Sequence, residues 1–293
     1  MLTRGRRFAI ATREGYFAEH FALEKPLKKV TRASLTGLLV AASAGAQVQD
    51  TIAGSSPLFT GRDALLLAGF TAGTVAVAPL DVHFAELLQK PGAQENRVLG
   101  HSATAFRILG IPGTVVIGLG LYVIGRVDDQ RRVQDLGLHS TEAVLLSTAL
   151  SYGIKIVAGR ARPHLDIDRP HDFQIARGFS GDDYQSFPSG HTTAAFAFAA
   201  ALSRETQMWW PESRWYVGTL TFTGATLVGI SRMYNNMHWA SDVLGGAAIG
   251  TVLGLKVVKY HHSHPGNRID RALLKGDRSG PTAPIPLLTL WFR

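Results

Sequence analysis

The chain has 293 residues and not one cysteine. Disulfides, thiolate metal sites and cysteine nucleophiles are therefore excluded, and any covalent chemistry must run through another side chain. Low-complexity blocks and internal repeats are also missing, which leaves one domain with tails as the simplest organisation. Acidic residues are in deficit: 22 Asp and Glu face 30 Lys and Arg, for a net charge of +8. That balance favours anionic partners, among which nucleic acid, phospholipid headgroups and phosphate esters are equivalent on composition alone. The carboxylates that are present form no cluster of metal-binding spacing, so function without divalent ions is expected. Mean hydropathy is only +0.08, low for a protein that crosses a bilayer many times.

What is present is a set of apolar segments set off by polar connections. Residues 1–32 form a basic tail with Arg4, Arg6, Arg7, Lys25, Lys28, Lys29 and Arg32. Residues 33–50 form a weak apolar segment that reads either as a displaced secretory signal or as an anchor. A helical domain is expected over 60–260 and a C-terminal tail over 261–293. Six segments have helical length: Ala64–Leu80, Phe106–Gly125, Thr141–Gly159, Thr192–Leu202, Trp215–Ile230 and Trp239–Val258. Two of them approach the ~20 apolar residues of a bilayer span. The expected fold is therefore all-α, a bundle of about six core helices that span a membrane, with a soluble bundle as the alternative. If all six span, Arg126, Arg131, Arg132, Arg204, Arg214 and the basic stretch from Lys256 fall on one side, which the positive-inside rule makes cytoplasmic. A cleaved signal before Gln47 would invert that arrangement.

Three runs hold charge that apolar surroundings tolerate poorly: Lys155-Ile-Val-Ala-Gly-Arg-Ala-Arg162-Pro163, Pro188-Ser189-Gly190-His191, and Ser231-Arg232-Met-Tyr-Asn-Asn-Met-His238-Trp-Ala-Ser-Asp242. With the six helices alternating across the membrane, all three fall on the face opposite the basic connections. Lys155 and Arg162 flank a helix end that Pro163 terminates. Pro163 to Pro188 is long for a connection and reads as a lid. Ser189 and Gly190 open a small-residue helix whose first amides suit an anion. His238 and Asp242 are four apart, so on a helix the carboxylate reaches one imidazole nitrogen and leaves the other free to attack. Arg232 precedes them across the Asn235-Asn236 turn, placed to fork onto phosphate oxygens. Each run alone also fits a bland reading: snorkelling cations, a capped helix start, or a histidine satisfied by a carboxylate.

In order, Lys-x6-Arg-Pro, Pro-Ser-Gly-His and Ser-Arg-x5-His-x3-Asp resemble the signature of the type 2 phosphatidic acid phosphatase superfamily. That superfamily also holds bacterial acid phosphatases and vanadium-dependent haloperoxidases. The resemblance covers about Ala64–Val258 and implies a helical bundle and a metal-independent phosphatase. It implies His238 as the nucleophile that becomes a phosphohistidine, Asp242 as its orienting group and His191 as the acid for the leaving alcohol. It also implies Lys155, Arg162, Arg232, Ser189 and the Gly190 amide as the phosphate cradle. The expected substrate is a lipid phosphate or pyrophosphate, with the site facing the periplasm or exterior of a bacterial-type inner membrane, and with no cofactor, metal or nucleic-acid partner. A soluble periplasmic acid phosphatase, a haloperoxidase and a non-catalytic lipid-phosphate binder are the alternatives. His261, His262 and His264 lie in a basic stretch with no carboxylate close in sequence, and are not read as a metal site. Gly246, Gly250 and Gly254 form a smooth stripe for close helix packing.

Overall fold

The computed structural model describes residues 57–275. The basic tail and the weak apolar segment lie outside them, as does everything from 276 onward. The described chain is helical: α1 (Gly61–Val77), α2 (Asp81–Gln89), α3 (Arg97–Leu109), α4 (Ile111–Val127), α5 (Arg131–Ala158), α6 (Gly190–Trp209), α7 (Arg214–Tyr234), α8 (Ala240–Ser263) and α9 (Arg268–Leu273). Each of the six expected segments falls within this set. Phe106–Gly125 alone is divided, by a bend of 52° between α3 and α4. The bend sits where Pro112 lacks an amide to donate and its ring excludes a continuous helix.

α6 is the central helix. Ala194, Ala195, Ala197, Ala199, Ala200 and Ala201 are all buried, and α4, α5, α7 and α8 surround it. Small side chains let the neighbours come close, and α8 does so through its glycine stripe. A methyl group at Gly246 would lie 2.6 Å from Ser189 O, and one at Gly254 2.5 Å from Ala197 O. At Gly250 it would overlap Thr193 O, an overpacking of the kind that costs about 1–3 kcal/mol. The stripe is thus spent inside the bundle.

Three helices are long and apolar enough to cross a membrane, Gly61–Gln89 with its short break, Arg131–Ala158 and Ala240–Ser263, and the bent α3–α4 pair makes a fourth if counted as one span. This is fewer than the six expected. The reason lies in what surrounds each helix. α6 is shielded by protein and needs close packing more than lipid solubility. α7 is rich in threonine, and Thr221 and Thr226 return their hydroxyls to the carbonyls of Val217 and Phe222 one turn back. Leu65, Val75, Val116, Val123, Leu145, Leu150, Val157 and Leu220 project outward from α1, α4, α5 and α7. That apolar belt belongs against acyl chains, and the chain is a membrane protein.

The bundle has two distinct ends. Lys256 of α8 pairs with Asp63 at the start of α1 at 2.5 Å, and with Leu58 O at 3.0 Å. At the other end of those two helices, Ser241 N donates to Asp81 Oδ1 at 2.8 Å. The three motif runs gather at this second end.

Candidate active site

α5 delivers Lys155 in its last turn and stops at Gly159, whose φ of 56° is left-handed and whose amide returns to Lys155 O at 3.1 Å. A side chain at Gly159 would strike Gln174 O, so only glycine closes this helix. The chain then runs extended through Arg160, which bridges to Phe173, and on to Arg162. Arg162 Nε donates to Asp182 O at 2.7 Å, its Nη2 to Asp182 Oδ1 at 2.7 Å and its Nη1 to Met237 O at 3.2 Å. The Pro163–Pro188 connection, expected as a lid, is tied down at many points. Arg177 donates to Gly159 O and to Asp172, and lies over the Tyr184 ring, while Lys155 Nζ donates to Gln185 O. It is a fixed cap over the end of α5.

Ser189 is fully buried at the N-cap of α6, and its amide donates to Asp242 O at 3.0 Å, which joins the second run to the third. Thr192 Oγ1 donates to Ser189 Oγ at 2.8 Å, leaving the serine O–H to donate elsewhere. At Gly190 a methyl group would lie 3.5 Å from Lys155 Cε, so the first amides of α6 open beside the lysine. Such first-turn amides have no acceptor within their own helix. His191 follows, packed against the α3–α4 break, where a methyl at Gly110 would meet its Cδ2 at 2.6 Å. Its imidazole is within electrostatic reach of Arg232, Lys155, Arg107 and Arg162. Arg232 is buried at the end of α7, and its Nε has no hydrogen-bond partner among the described residues. All eight expected site residues thus come together at one end of the bundle.

One expected contact differs. His238 Nδ1 stands 3.7 Å from Asp242 Oδ2, beyond hydrogen-bond distance. The stacking of residues four apart holds only inside a helix. His238 precedes Trp239, the N-cap of α8, so it lies outside the helix, while Asp242 in the first turn accepts from Trp239 N at 2.8 Å. The same carboxylate accepts from Ser186 Oγ at 2.6 Å and from Arg160 Nη1. His238 Nδ1 is left buried without a hydrogen bond. Burial and the nearby Lys155 charge hold the His238 imidazole well below its ordinary range, Arg162 adding to this and Asp242 opposing it. The ring is neutral at pH 7, the form that can attack.

Sequence reasoning missed the group that supports Asp242. Arg160 is buried between two carboxylates, donating to Asp242 through Nη1 and to Asp81 Oδ2 at 2.8 Å through Nη2, and its Nε donates to Pro170 O at 2.9 Å. Ser241 Oγ accepts from Arg160 Nη1 at 2.8 Å and donates to Asp81. The guanidinium also lies over the Phe173 and Trp239 rings. Arg160 stood within the first run, but its partner Asp81 is 79 residues away, and no sequence spacing joins them. Arg107 was missed as well: it is exposed beside the α3–α4 break and its charge reaches both His191 and Arg232.

One end of this helical membrane bundle thus gathers three cations, two imidazoles and a helix start. Residues 137–265, which include all eight site residues, match the family model described as PAP2 superfamily. A lipid A 1-phosphatase of Porphyromonas gingivalis is 47% identical over 74 residues, covering 25% of this chain and 16% of that protein. An undecaprenyl-diphosphatase of Bacillus subtilis is 25% identical over 169 residues, covering 57% of this chain and 78% of that protein. The crystal structure of LpxE from Aquifex aeolicus is similar over 62% of this chain and 96% of its own, with a TM-score of 0.46 and 26% identity. The chain spans half or less of the length of the first curated relatives it matches.

Proposed function

We propose that the protein is a phosphohydrolase that removes a phosphate from a lipid phosphomonoester or pyrophosphate by way of a phosphohistidine. The observation that carries this reading is the convergence of Lys155, Arg162 and Arg232 on the two histidines, with Arg232 Nε buried and unsatisfied. A buried donor of that kind calls for an acceptor, and a phosphoryl oxygen supplies one. In the reaction, His238 Nε2 attacks phosphorus and the bond to the leaving oxygen breaks. His191 gives that oxygen its proton. The attacking ring becomes cationic, and its Nδ1–H turns toward Asp242 Oδ2, which Arg160, Ser186 and the Trp239 amide already hold in place. In the second half His191 takes a proton from water, the oxygen attacks phosphorus and the P–N bond breaks. Inorganic phosphate leaves and His238 is neutral again. The three cations, Ser189 and the first amides of α6 offset the charge on the equatorial oxygens throughout.

The setting supports a lipid substrate: the site lies at the end of a bundle whose sides are apolar, where a headgroup would meet it while the acyl or prenyl tail stays in the bilayer. The opposite end carries Arg126, Arg131, Arg132, Arg204, Arg214, Lys256 and Lys259, and the positive-inside rule makes it cytoplasmic, with the pocket facing the periplasm or exterior. Two relatives bear names that fit this reading, one acting on lipid A and one on undecaprenyl diphosphate. The test is release of inorganic phosphate by the purified chain from phosphatidate, phosphatidylglycerol phosphate, polyprenyl pyrophosphate and a soluble sugar phosphate, each in excess chelator. Turnover of at least one lipid above the soluble ester is expected. Preference for the soluble ester, or turnover that only magnesium restores, would contradict the proposal.

A further inference from the structure

At the end of the bundle away from the phosphate pocket, three imidazoles and three carboxylates are packed together. His139 comes from α5, Glu205 from α6, His261 and His262 from α8, and Asp270 from α9, with Glu142 one turn beyond His139. The sequence showed no carboxylate near the His261 tract, because two of these acids come from α5 and α6 and Asp270 lies across the turn into α9. His139, Glu205, His261 and Asp270 are all buried. The cluster lies about 24 Å along α5 from Lys155, at 1.5 Å per residue, and takes no part in the chemistry proposed above.

Its hydrogen bonds have a particular order. His139 Nδ1 is bonded to Glu205 Oε1, and His261 Nε2 lies 2.7 Å from Glu142 Oε2. Each ring thus has one nitrogen fixed by a carboxylate. The other two nitrogens, His139 Nε2 and His261 Nδ1, both face Asp270 Oδ1, at 3.5 Å and 2.6 Å. The rings are stacked with centroids 4.1 Å apart. His139 Nε2 is fully buried and, beyond this long contact with Asp270, has no hydrogen-bond partner among the described residues. With Nδ1 committed to Glu205, Nε2 makes only this long contact with Asp270 Oδ1, and the gap between the two atoms can be filled by a proton on the ring or by a metal ion. Two ligand atoms on one tetrahedral zinc, each about 2.0 Å from the ion, stand about 3.3 Å apart. The 3.5 Å gap fits that spacing, whereas the 2.6 Å His261–Asp270 hydrogen bond would have to open as the ion replaces its proton.

We propose that His139 Nε2, His261 Nδ1 and Asp270 Oδ1 form a binding site for one divalent transition-metal ion of the zinc class. The three atoms lie within 4.8 Å of one another. Glu205 and Glu142 are then the outer carboxylates that orient each ring, the arrangement usual behind metal-bound histidines. Two imidazoles and a carboxylate suit zinc, cobalt or nickel better than magnesium or calcium. Binding displaces the proton between His261 Nδ1 and Asp270 to solvent, and each ligand then gives one lone pair to the ion. The ion would clamp α9 to α5 and α8. α9 is otherwise held through Leu273 O, which accepts from Tyr122 Oη at 2.7 Å and Arg126 Nη1 at 2.9 Å. The site does not depend on the phosphatase reading and stands or falls separately.

The test uses the tag-free full chain in detergent, stripped with chelator and titrated with Co²⁺ and Zn²⁺. One ion per chain is expected, with the visible bands of four-coordinate cobalt and a rise in Tm of about 5–10 °C at a hundredfold excess over Kd. Asp270→Asn, on a short peripheral helix, and His261→Gln should each lose the bands and the shift, whereas the exposed His264→Ala should keep both. The wild-type titration decides even if a variant does not fold. Failure of the wild type to bind saturably at one ion per chain overturns the proposal, as does wild-type affinity in either ligand variant; a cluster that exchanges only protons with solvent would give the first result.

Discussion

The two ends of the bundle are built on the same helices, α5, α6 and α8, yet they want opposite ligands. At one end Lys155, Arg162 and Arg232 crowd two imidazoles, and the nearest buried acid, Asp242, is already held by Arg160. At the other end Glu205, Asp270 and Glu142 surround His139, His261 and His262. One end gathers cations and the other gathers carboxylates around its imidazoles. The buried atoms mark the difference: among the described residues Arg232 Nε is a donor with no acceptor, and His139 Nε2 has only a long contact with a carboxylate oxygen. A helical frame fixes where side chains meet, and the sign of what remains unpaired decides whether an anion or a cation completes the site.

The sharpest break in this comparison is expected within the pocket itself, between its two histidines. His238→Ala should abolish turnover of every phosphate ester, because no other group can take the phosphoryl. His191→Ala should lose about 10²–10⁴-fold on alkyl and lipid phosphates, where the leaving oxygen needs a proton. With a nitrophenyl ester it should still give a burst of phenolate, visible by rapid quench. A burst from the His238 variant, or none from the His191 variant, would reverse the assigned roles.

Next in size is the support of Asp242. Arg160→Met removes one partner from two buried carboxylates, and the loss of a buried pair costs about 3–5 kcal/mol. Unfolding of the variant in detergent should show that loss, with phosphate release reduced more than substrate affinity. Wild-type stability would mean that the Asp81–Arg160–Asp242 array is not formed.

The smallest effect is in pH. Because the folded His238 pKa is depressed, the unfolded chain takes up a proton below about pH 6.5 that the folded chain refuses. Stability from this group is therefore full above pH 6.5 and is lost as pH falls toward the folded value. The nucleophile stays neutral over the same range, so kcat/KM should not show an acid limb at 6.5 from His238. A His238→Gln variant should flatten the stability change, and an unchanged slope would contradict the depressed value.

How much of this the sequence carried depends on the distance between partners. The pocket was legible because its residues sit in three short runs at helix ends, where Gly159, the Ser189 cap and the Asn235-Asn236 turn have local signals. Asp81 was not legible, since it meets Arg160 only after α1 and α2 have folded back across the bundle. Glu205 and Asp270 were hidden from the histidine tract for the same reason. α6 and α7 fall short of a span by length and composition alone, because hydropathy tracks exposure to lipid and α6 is surrounded by protein. The His238–Asp242 pair read from the sequence is present as a 3.7 Å contact, longer than a hydrogen bond because His238 stands just outside the helix on which the spacing argument depends.

The central claim is that His238 carries the phosphoryl group. Its most direct test is rapid acid-free quenching of the purified chain with a radiolabelled lipid phosphate, followed by peptide mapping under alkaline conditions that preserve phosphohistidine. The account predicts label on the peptide containing His238 and none in His238→Ala; in His191→Ala label should accumulate from a radiolabelled nitrophenyl phosphate but not from the lipid, whose leaving oxygen lacks its proton. Label on another residue, or turnover of the lipid with no labelled peptide under conditions that trap it, would contradict the account.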